Sequence, residues 1–208
     1  MEQPVGQPAG APRSREIGRR LRLARTERGL SLRALAARAD VTASLLSQIE
    51  TGRINPSVET LFAVAGALDK PLPFFFGHDE DTAPASRAPV ASAPVVRRHS
   101  RSRIRLEHGV AWESLVPREE NGLEFMEIHY PAGAVSSDRL QRHGGRDYGI
   151  VLSGRLTVRL SFSEYVLEAG DSVAFDATTP HQLRNDGDIE TVAVWLVLER
   201  NGPNQRMP

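Results

Sequence analysis

The chain has 208 residues, with 26 Lys and Arg balancing 26 Asp and Glu, and no cysteine. That length exceeds the needs of one small helical module and provides for a second core, while the lack of cysteine excludes disulfides and thiolate zinc sites and fits a reducing compartment. No apolar run approaches membrane-spanning length and the opening MEQPVGQPAGAPRSR has no apolar stretch of the signal-peptide kind, so no membrane partner and a cytoplasmic location are expected.

The neutral total hides an asymmetry. Residues 1–77 hold ten Arg and one Lys against seven acids (+4), residues 78–105 six Arg against three acids (+3), and residues 106–208 nine Arg against sixteen acids (−7). A basic N-terminal half suits a polyanionic partner, and an acidic C-terminal half would be repelled by it.

Residues 1–14 are Pro, Gly, Gln and Ala without periodicity and are expected to form a disordered arm. A first helix is predicted from about Arg15 to Arg28, with Ile17, Leu21 and Ala24 on its core face, Arg19, Arg20, Arg22 and Arg25 around the rest, and Gly29 at its end. Ser31 is a good N-cap for a second helix whose Leu32, Leu35, Ala36 and Ala39 share one face. The pattern breaks at Asp40, and Thr42 caps a third helix that turns Leu45, Leu46 and Ile49 inward, leaves Ala43, Ser44, Ser47 and Gln48 outward, and closes at Gly52. The loop Arg53-Ile54-Asn55-Pro56 leads to Ser57, the cap of a fourth helix with Leu61, Phe62, Val64, Ala65 and Leu68 as its apolar face. Phe74, Phe75 and Phe76 then add aromatic bulk to the core.

Residues 78–105, rich in Pro, Ala, Ser and Arg, are predicted to be a linker; its Arg97, Arg98, Arg101, Arg103 and Arg105 suit solvent or added phosphate contacts. From Leu106 the periodicity becomes strand-like, with VAWESLV, LEFMEIHY, DYGIVLSG, RLTVRLS, YVLEAGDSVAF and TVAVWLVLE punctuated by Gly, Pro, Asn and Asp. Residues 106–200 are therefore expected to form an all-β sandwich or barrel, with 201–208 a frayed tail.

The runs RRLRLARTERGLS, LAARADV, LLSQIETGR and NPSVETLFAVAGALD, spanning about Ile17 to Phe76, resemble the lambda-repressor-like, Cro-type (XRE) helix-turn-helix family. The resemblance implies an all-α, five-helix domain over residues 15–77 that lays the N-terminal half of its third helix in the major groove of double-stranded DNA. It assigns base contacts to Ala43, Ser44 and Gln48, of which only Gln48 has a bidentate amide, and adds Arg33, Thr42, Ser47, Arg53 and Asn55 to the DNA-binding set. Asp40 stands where the family has a turn glycine, and Asp tolerates the left-handed backbone.

The spacings Gln141-x-His143-x3-Asp147-x6-Gly154 and Gly170-x10-His181-x3-Asn185 resemble the two motifs of the cupin family, implying a jelly-roll barrel and an α + β two-domain chain. In that family the first motif carries two histidines and a glutamate and the second another histidine; here Gln141 replaces a histidine, Asp147 the glutamate, and Asp176 and Thr178 a proline and a glycine. The resemblance makes His143, His181 and Asp147 a candidate divalent-metal set, although aspartate is a methylene short, roughly 1.5 Å at an unmoved backbone. Gln141, His143, Asp147 and His181 are expected to line a small-molecule pocket that prefers an amine or hydroxyl compound to a phosphorylated one; a barrel packed solid for dimerisation is the plainer alternative. His78, His99, His108 and His129 lack partner spacing and are expected to be structural or exposed.

Together these readings describe a transcriptional regulator rather than an enzyme: a homodimer, held mainly by the barrels, that reads an operator and responds to a small-molecule effector. The competing reading is a metal-dependent cupin enzyme, of dioxygenase or isomerase type, with an autoregulatory DNA-binding domain. No cofactor is required beyond that candidate metal.

Overall fold

Capping side chains stand where the helices start. In the computed structural model, which describes residues 14–76, 94–117, 120 and 122–198, helix α1 spans Ser14–Glu27, α2 Leu32–Arg38, α3 Ala43–Glu50 and α4 Val58–Ala67. Expectations for most of the arm, for Gly77, for residues 78–93 of the linker, His78 among them, and for the tail fall outside the described residues. Ser31, Thr42 and Ser57 each accept the backbone N–H three residues on, at 3.1 Å, which satisfies one orphan donor at each helix start. Asp40 takes φ 51, so the α2–α3 corner is made in the left-handed conformation, and Gly52 ends α3 at φ 67.

The expected five-helix count is corrected: among the described residues four α-helices are followed by a 3-10 turn, Leu72–Phe75. Leu72 precedes Pro73, a position that disfavours the α conformation, and the segment closes as one short 3-10 turn. Ile17, Leu21, Leu35, Leu46, Ile49, Leu61, Leu68 and Phe75 make the helical core. Two features lock α1 to α3. Gly18 allows close approach, since a Cβ there would lie 2.2 Å from the Ile49 carbonyl oxygen, and Arg25 grips Glu50 bidentately at 2.6 and 2.9 Å.

The β domain alternates inward apolar and outward residues, the period that a half-covered sheet requires. Its strands are β1 Arg103–Arg105, β2 Ala111–Ser114, β3 Leu123–Tyr130, β4 Arg146–Ser153, β5 Arg155–Leu160, β6 Ser163–Glu168, β7 Ser172–Asp176, β8 His181–Arg184 and β9 Thr191–Leu198. They form a six-stranded sheet, β1-β2-β3-β9-β4-β7, and a three-stranded sheet, β6-β5-β8. The pairing is antiparallel throughout. β1 corrects the linker boundary: Ile104 is buried and pairs with Trp112, so the β domain begins inside the stretch read as linker. The arginines on either side of Ile104 hid a strand within a basic composition.

The helical unit rests on this domain. Val58 N–H donates to the Ser136 carbonyl at 3.0 Å, Glu107 N–H to the Pro56 carbonyl at 2.9 Å, and Leu72 N–H to Glu124 Oε1 at 3.3 Å. The start of α4 and the turn after it are thus tied to the β domain. Among the described residues no helix is long and apolar enough to cross a membrane.

Candidate functional site

On the helical unit, α3 buries Leu46 and Ile49 and turns Ser44 outward. The Gln48 amide donates to Ser44 Oγ at 3.3 Å, one turn earlier, which holds its side chain along the helix surface. Arg33, Thr42 and Arg53 are exposed, although the Thr42 hydroxyl is committed as the α3 cap. Ala43 and Ser47 are partly covered, and Asn55 Oδ1 is buried without a hydrogen-bond partner among the described residues.

In the β domain, Gln141, His143, Asp147 and His181 converge from separate stretches of chain. Asp147 comes from β4 and His181 from the start of β8, while Gln141 exchanges both backbone hydrogen bonds with His181 at 2.8 Å. His143 is fixed by its N–H to the Ala177 carbonyl at 3.0 Å. Across the cluster, His143 Nε2 lies 3.6 Å from Asp147 Oδ1 and His181 Nε2 lies 3.9 Å from Asp147 Oδ2.

The ring orientations follow from backbone partners. His143 Nδ1 meets the Gly144 carbonyl at 3.1 Å and His181 Nδ1 the Thr179 carbonyl at 2.9 Å. A carbonyl oxygen can only accept, so each Nδ1 carries the proton and, in a neutral ring, each Nε2 presents a lone pair to the centre. Asp147 Oδ1, His181 Nε2 and Gln141 Oε1 are buried with no hydrogen-bond partner among the described residues. Burial pushes the Asp147 carboxyl up to about 6, against the pull of the Trp195 indole and of His181. Burial also lowers the His181 pKa, which keeps its ring neutral.

The centre is therefore rich in electron pairs and poor in hydrogens, and leaving such acceptors unmet costs about 1–3 kcal/mol each. It suits a cation or a ligand with several donors. The donor set suits a divalent metal: bonds of about 2.1 Å put neighbouring donors roughly 3.0–3.4 Å apart, so His143 and His181, at 3.6 and 3.9 Å from the two Asp147 oxygens, would close in by about 0.2–0.9 Å to share one ion. The expected shortfall of an aspartate thus does not take it out of the cluster.

Trp195 and Gly149 were not anticipated as site residues. Trp195 donates Nε1–H to Asp147 Oδ2 at 3.1 Å, and its ring covers the place where a Gly149 side chain would stand. Phe62 was expected in the helical core but is half-buried, and its ring stacks on His143 with centroids 4.1 Å apart and planes at 3°. Phe62, Val58, Trp112, Trp195, Gln141, His143 and Asp147 line a cavity of only about 10 Å³. An apolar residue on an apolar helical face carries no mark that its neighbour is in another domain.

A second group, Glu113, Glu127 and His129, lies on β2 and β3. Arg101 reaches both carboxylates at 3.2 and 3.0 Å and Arg103 reaches Glu113 at 3.2 Å. These two arginines are therefore committed within the β domain rather than to phosphates. His129 is buried 3.2 Å from Glu127, whereas His99 and His108 are exposed.

A capped helix pair with an outward polar edge on its second member, fused to a two-sheet domain with an inward His-His-Asp cluster, defines a helix-turn-helix protein with an appended cupin domain. The family models agree: residues 21–75 match the helix-turn-helix family and residues 126–197 the cupin domain family, so the chain carries both. It is similar to the HTH-type transcriptional regulator SutR of Escherichia coli (strain K12), at 27% identity over 84% of this chain and 90% of that one. It is also similar to the HTH-type transcriptional regulator PuuR of the same organism, at 27% identity over 81% and 86%. A solved HTH_3 family transcriptional regulator from Vibrio cholerae superposes with TM-score 0.65 at 24% identity, covers 90% of this chain and 97% of that one, and shows the same fold.

Proposed function

We propose that this protein is a sequence-specific transcriptional regulator of the cytoplasm that reads an operator as a homodimer and senses a small molecule in its cupin barrel. The observation that carries the reading is the outward edge of α3, where Ser44 and Gln48 stand on a helix locked from behind by Gly18 and the Arg25–Glu50 pair. The set Arg33, Thr42, Ala43, Ser44, Ser47, Gln48, Arg53 and Asn55 is the proposed DNA surface, with Gln48 reading a base and the arginines holding phosphates. The sensor pocket is Gln141, His143, Asp147 and His181.

Support for the dimer comes from the outer face of the larger sheet. Tyr148, Ile150, Val194 and Leu196 line an open hollow of about 340 Å³ there, and Phe125 and Leu198 are exposed. A contiguous apolar face of this kind suits a second copy of the chain.

Gel-shift and footprinting on DNA around the protein's own gene, with Gln48→Ala alongside, test the function. The expected result is a protected two-half-site operator, with Gln48→Ala losing about 1–3 kcal/mol there and relaxing preference at one base pair per half-site. No protected sequence at any accessible salt would overturn it.

The converging lone pairs favour one further reading of the same site. His143, His181 and Asp147 would hold a divalent metal, which when bound supplies a Lewis-acid centre of the two-histidine, one-carboxylate type. The protein's own groups would fix the imidazoles through the Gly144 and Thr179 carbonyls and orient Asp147 through Trp195. Elemental analysis of protein purified without chelator, together with oxygen uptake on candidate substrates, separates sensor from enzyme.

A further inference from the structure

The sensor site is walled on one side by the DNA-binding domain. Phe62 comes from α4 of the helix-turn-helix unit, yet its ring lies on His143 and meets Trp112 edge-on with centroids 6.1 Å apart. Val58, one turn earlier on the same helix, lines the same cavity, and its N–H is the bond to Ser136 that ties α4 to the β domain. With this wall in place the cavity is about 10 Å³, about the space that one water occupies. A water or a bare cation fits; an organic effector does not. An organic ligand that reaches Asp147 and Gln141 through this cavity must therefore take the place of the Phe62 ring.

The chemistry of that place is legible. Its floor is the flat face of His143 and its sides are Phe62's apolar neighbours Trp112 and Ile128. Beyond it lie Asp147 Oδ1, Gln141 Oε1 and His181 Nε2, acceptors with no hydrogen among them. A ligand that satisfies both parts has a flat apolar group at one end and an ammonium at the other.

Resting on the sensor reading above, we propose that the site takes a small amine with a flat apolar group, that this group displaces Phe62 from His143, and that binding thereby lifts α4 and the DNA-binding domain off the barrel. The ligand binds only the undocked arrangement, so its whole binding energy is differential, which is the condition for a ligand to shift a conformational equilibrium. The signal needs no rigid linker, because the moving element is itself a wall of the pocket. By reciprocity, whatever holds α4 down weakens the ligand.

Both tryptophans of the chain, Trp112 and Trp195, line this cavity, so intrinsic fluorescence reports its occupancy directly. Benzylamine, protonated at neutral pH, is the probe and methylamine the control without a ring. In full-length wild type, benzylamine is expected to change the emission and to raise hydrogen exchange of the α4 amides at least tenfold, while methylamine leaves α4 protected. Phe62→Ala removes the plug without touching the acceptors, and is expected to bind benzylamine at least tenfold more tightly than wild type. Phe62→Leu, which keeps the apolar volume but not the flat ring, is the second variant and should fall between them.

Equal benzylamine affinity in wild type and both variants, or binding to wild type with α4 protection unchanged, overturns the proposal. So does emission that responds to zinc alone and not to benzylamine. Operator binding by the same preparations, measured by fluorescence anisotropy, keeps the two readings apart. If DNA binding is intact and the amine response absent, this inference fails alone; if DNA binding is absent, the regulator reading fails with it.

Discussion

Trp195 reaches Asp147 because Gly149, paired with Trp195 across β4 and β9, has no side chain. Ring atoms of the indole lie 2.1–2.8 Å from where a Gly149 Cβ would be, so the ring fills the missing side chain's place and its N–H arrives at Oδ2. The inward position left empty on one strand thus orients the carboxylate two residues earlier on the same strand.

Gly149→Ala is expected to push the indole aside, break the bond to Asp147 and destabilise the β domain by about 1–3 kcal/mol, the usual cost of overpacking. Denaturant melts and the near-ultraviolet circular dichroism of the tryptophans check it. An unchanged midpoint with an unchanged aromatic signal would mean that the strands separate easily and that Gly149 is not a constraint.

Arg25 and Glu50 form a bidentate pair between α1 and the end of α3, with side chains 12% and 6% exposed. Removing one partner leaves a buried charge uncompensated, so Arg25→Met is expected to cost about 3–5 kcal/mol, whereas Arg25→Met with Glu50→Leu should return to within about 1 kcal/mol of wild type. A double-mutant cycle in urea measures both. Strict additivity would show that the two side chains do not depend on each other.

At the start of α1, Glu16 accepts from Arg19 and Arg20, and Arg20 in turn donates to the Phe74 carbonyl, joining the first helix to the closing 3-10 turn. The hydrogen bond from Arg19, helped by Arg20, holds the Glu16 carboxyl down at about 2 despite partial burial. Its folded pKa is depressed, so its contribution is full above the unfolded value and is lost as pH falls through about 2. With the side chain 32% exposed, solvent screening reduces that contribution to about 1 kcal/mol. Glu16→Gln should therefore melt below wild type at pH 7 and converge with it near pH 2.

The helical half was legible because its signals are local. Ser31, Thr42 and Ser57 cap as their chemistry dictates, and Asp40 takes the left-handed turn that its short polar side chain permits. Gln141, His143, Asp147 and His181 were legible as a set through the resemblance of their segments to the cupin motifs, and the structure brings them together. What escaped depends on partners far along the chain. Gly149 sits unmarked inside a strand, and its role appears only when Trp195 is laid beside it. Phe62 satisfies the apolar face of α4 and gave no sign of its stack on His143. β1 was read as linker because Arg103 and Arg105, turned away from the core, outweighed the one buried residue between them.

The proposed homodimer pairs through the outer face of the six-stranded sheet and would bring two copies of α3 to one operator. Ile150 on β4 is paired with Val194 and Ser172 in the flanking strands and is 40% exposed, with Leu198 on β9 and Phe125 on β3 at 41% and 38%. A single recognition helix covers too little DNA for tight specific binding, and paired helices reach half-sites about one turn, roughly 34 Å, apart. Ile150→Glu puts a carboxylate against its own copy across a two-fold interface, so each dimer would bury two unpaired charges. The variant is expected to sediment as a monomer at micromolar concentration and to lose at least a hundredfold in operator affinity, while its weak salt-sensitive binding to other DNA persists. Phe162→Glu, at a fully exposed turn position in the smaller sheet, serves as the control and should leave both properties unchanged. A dimeric Ile150→Glu protein with full operator affinity would move the interface to another face of the molecule.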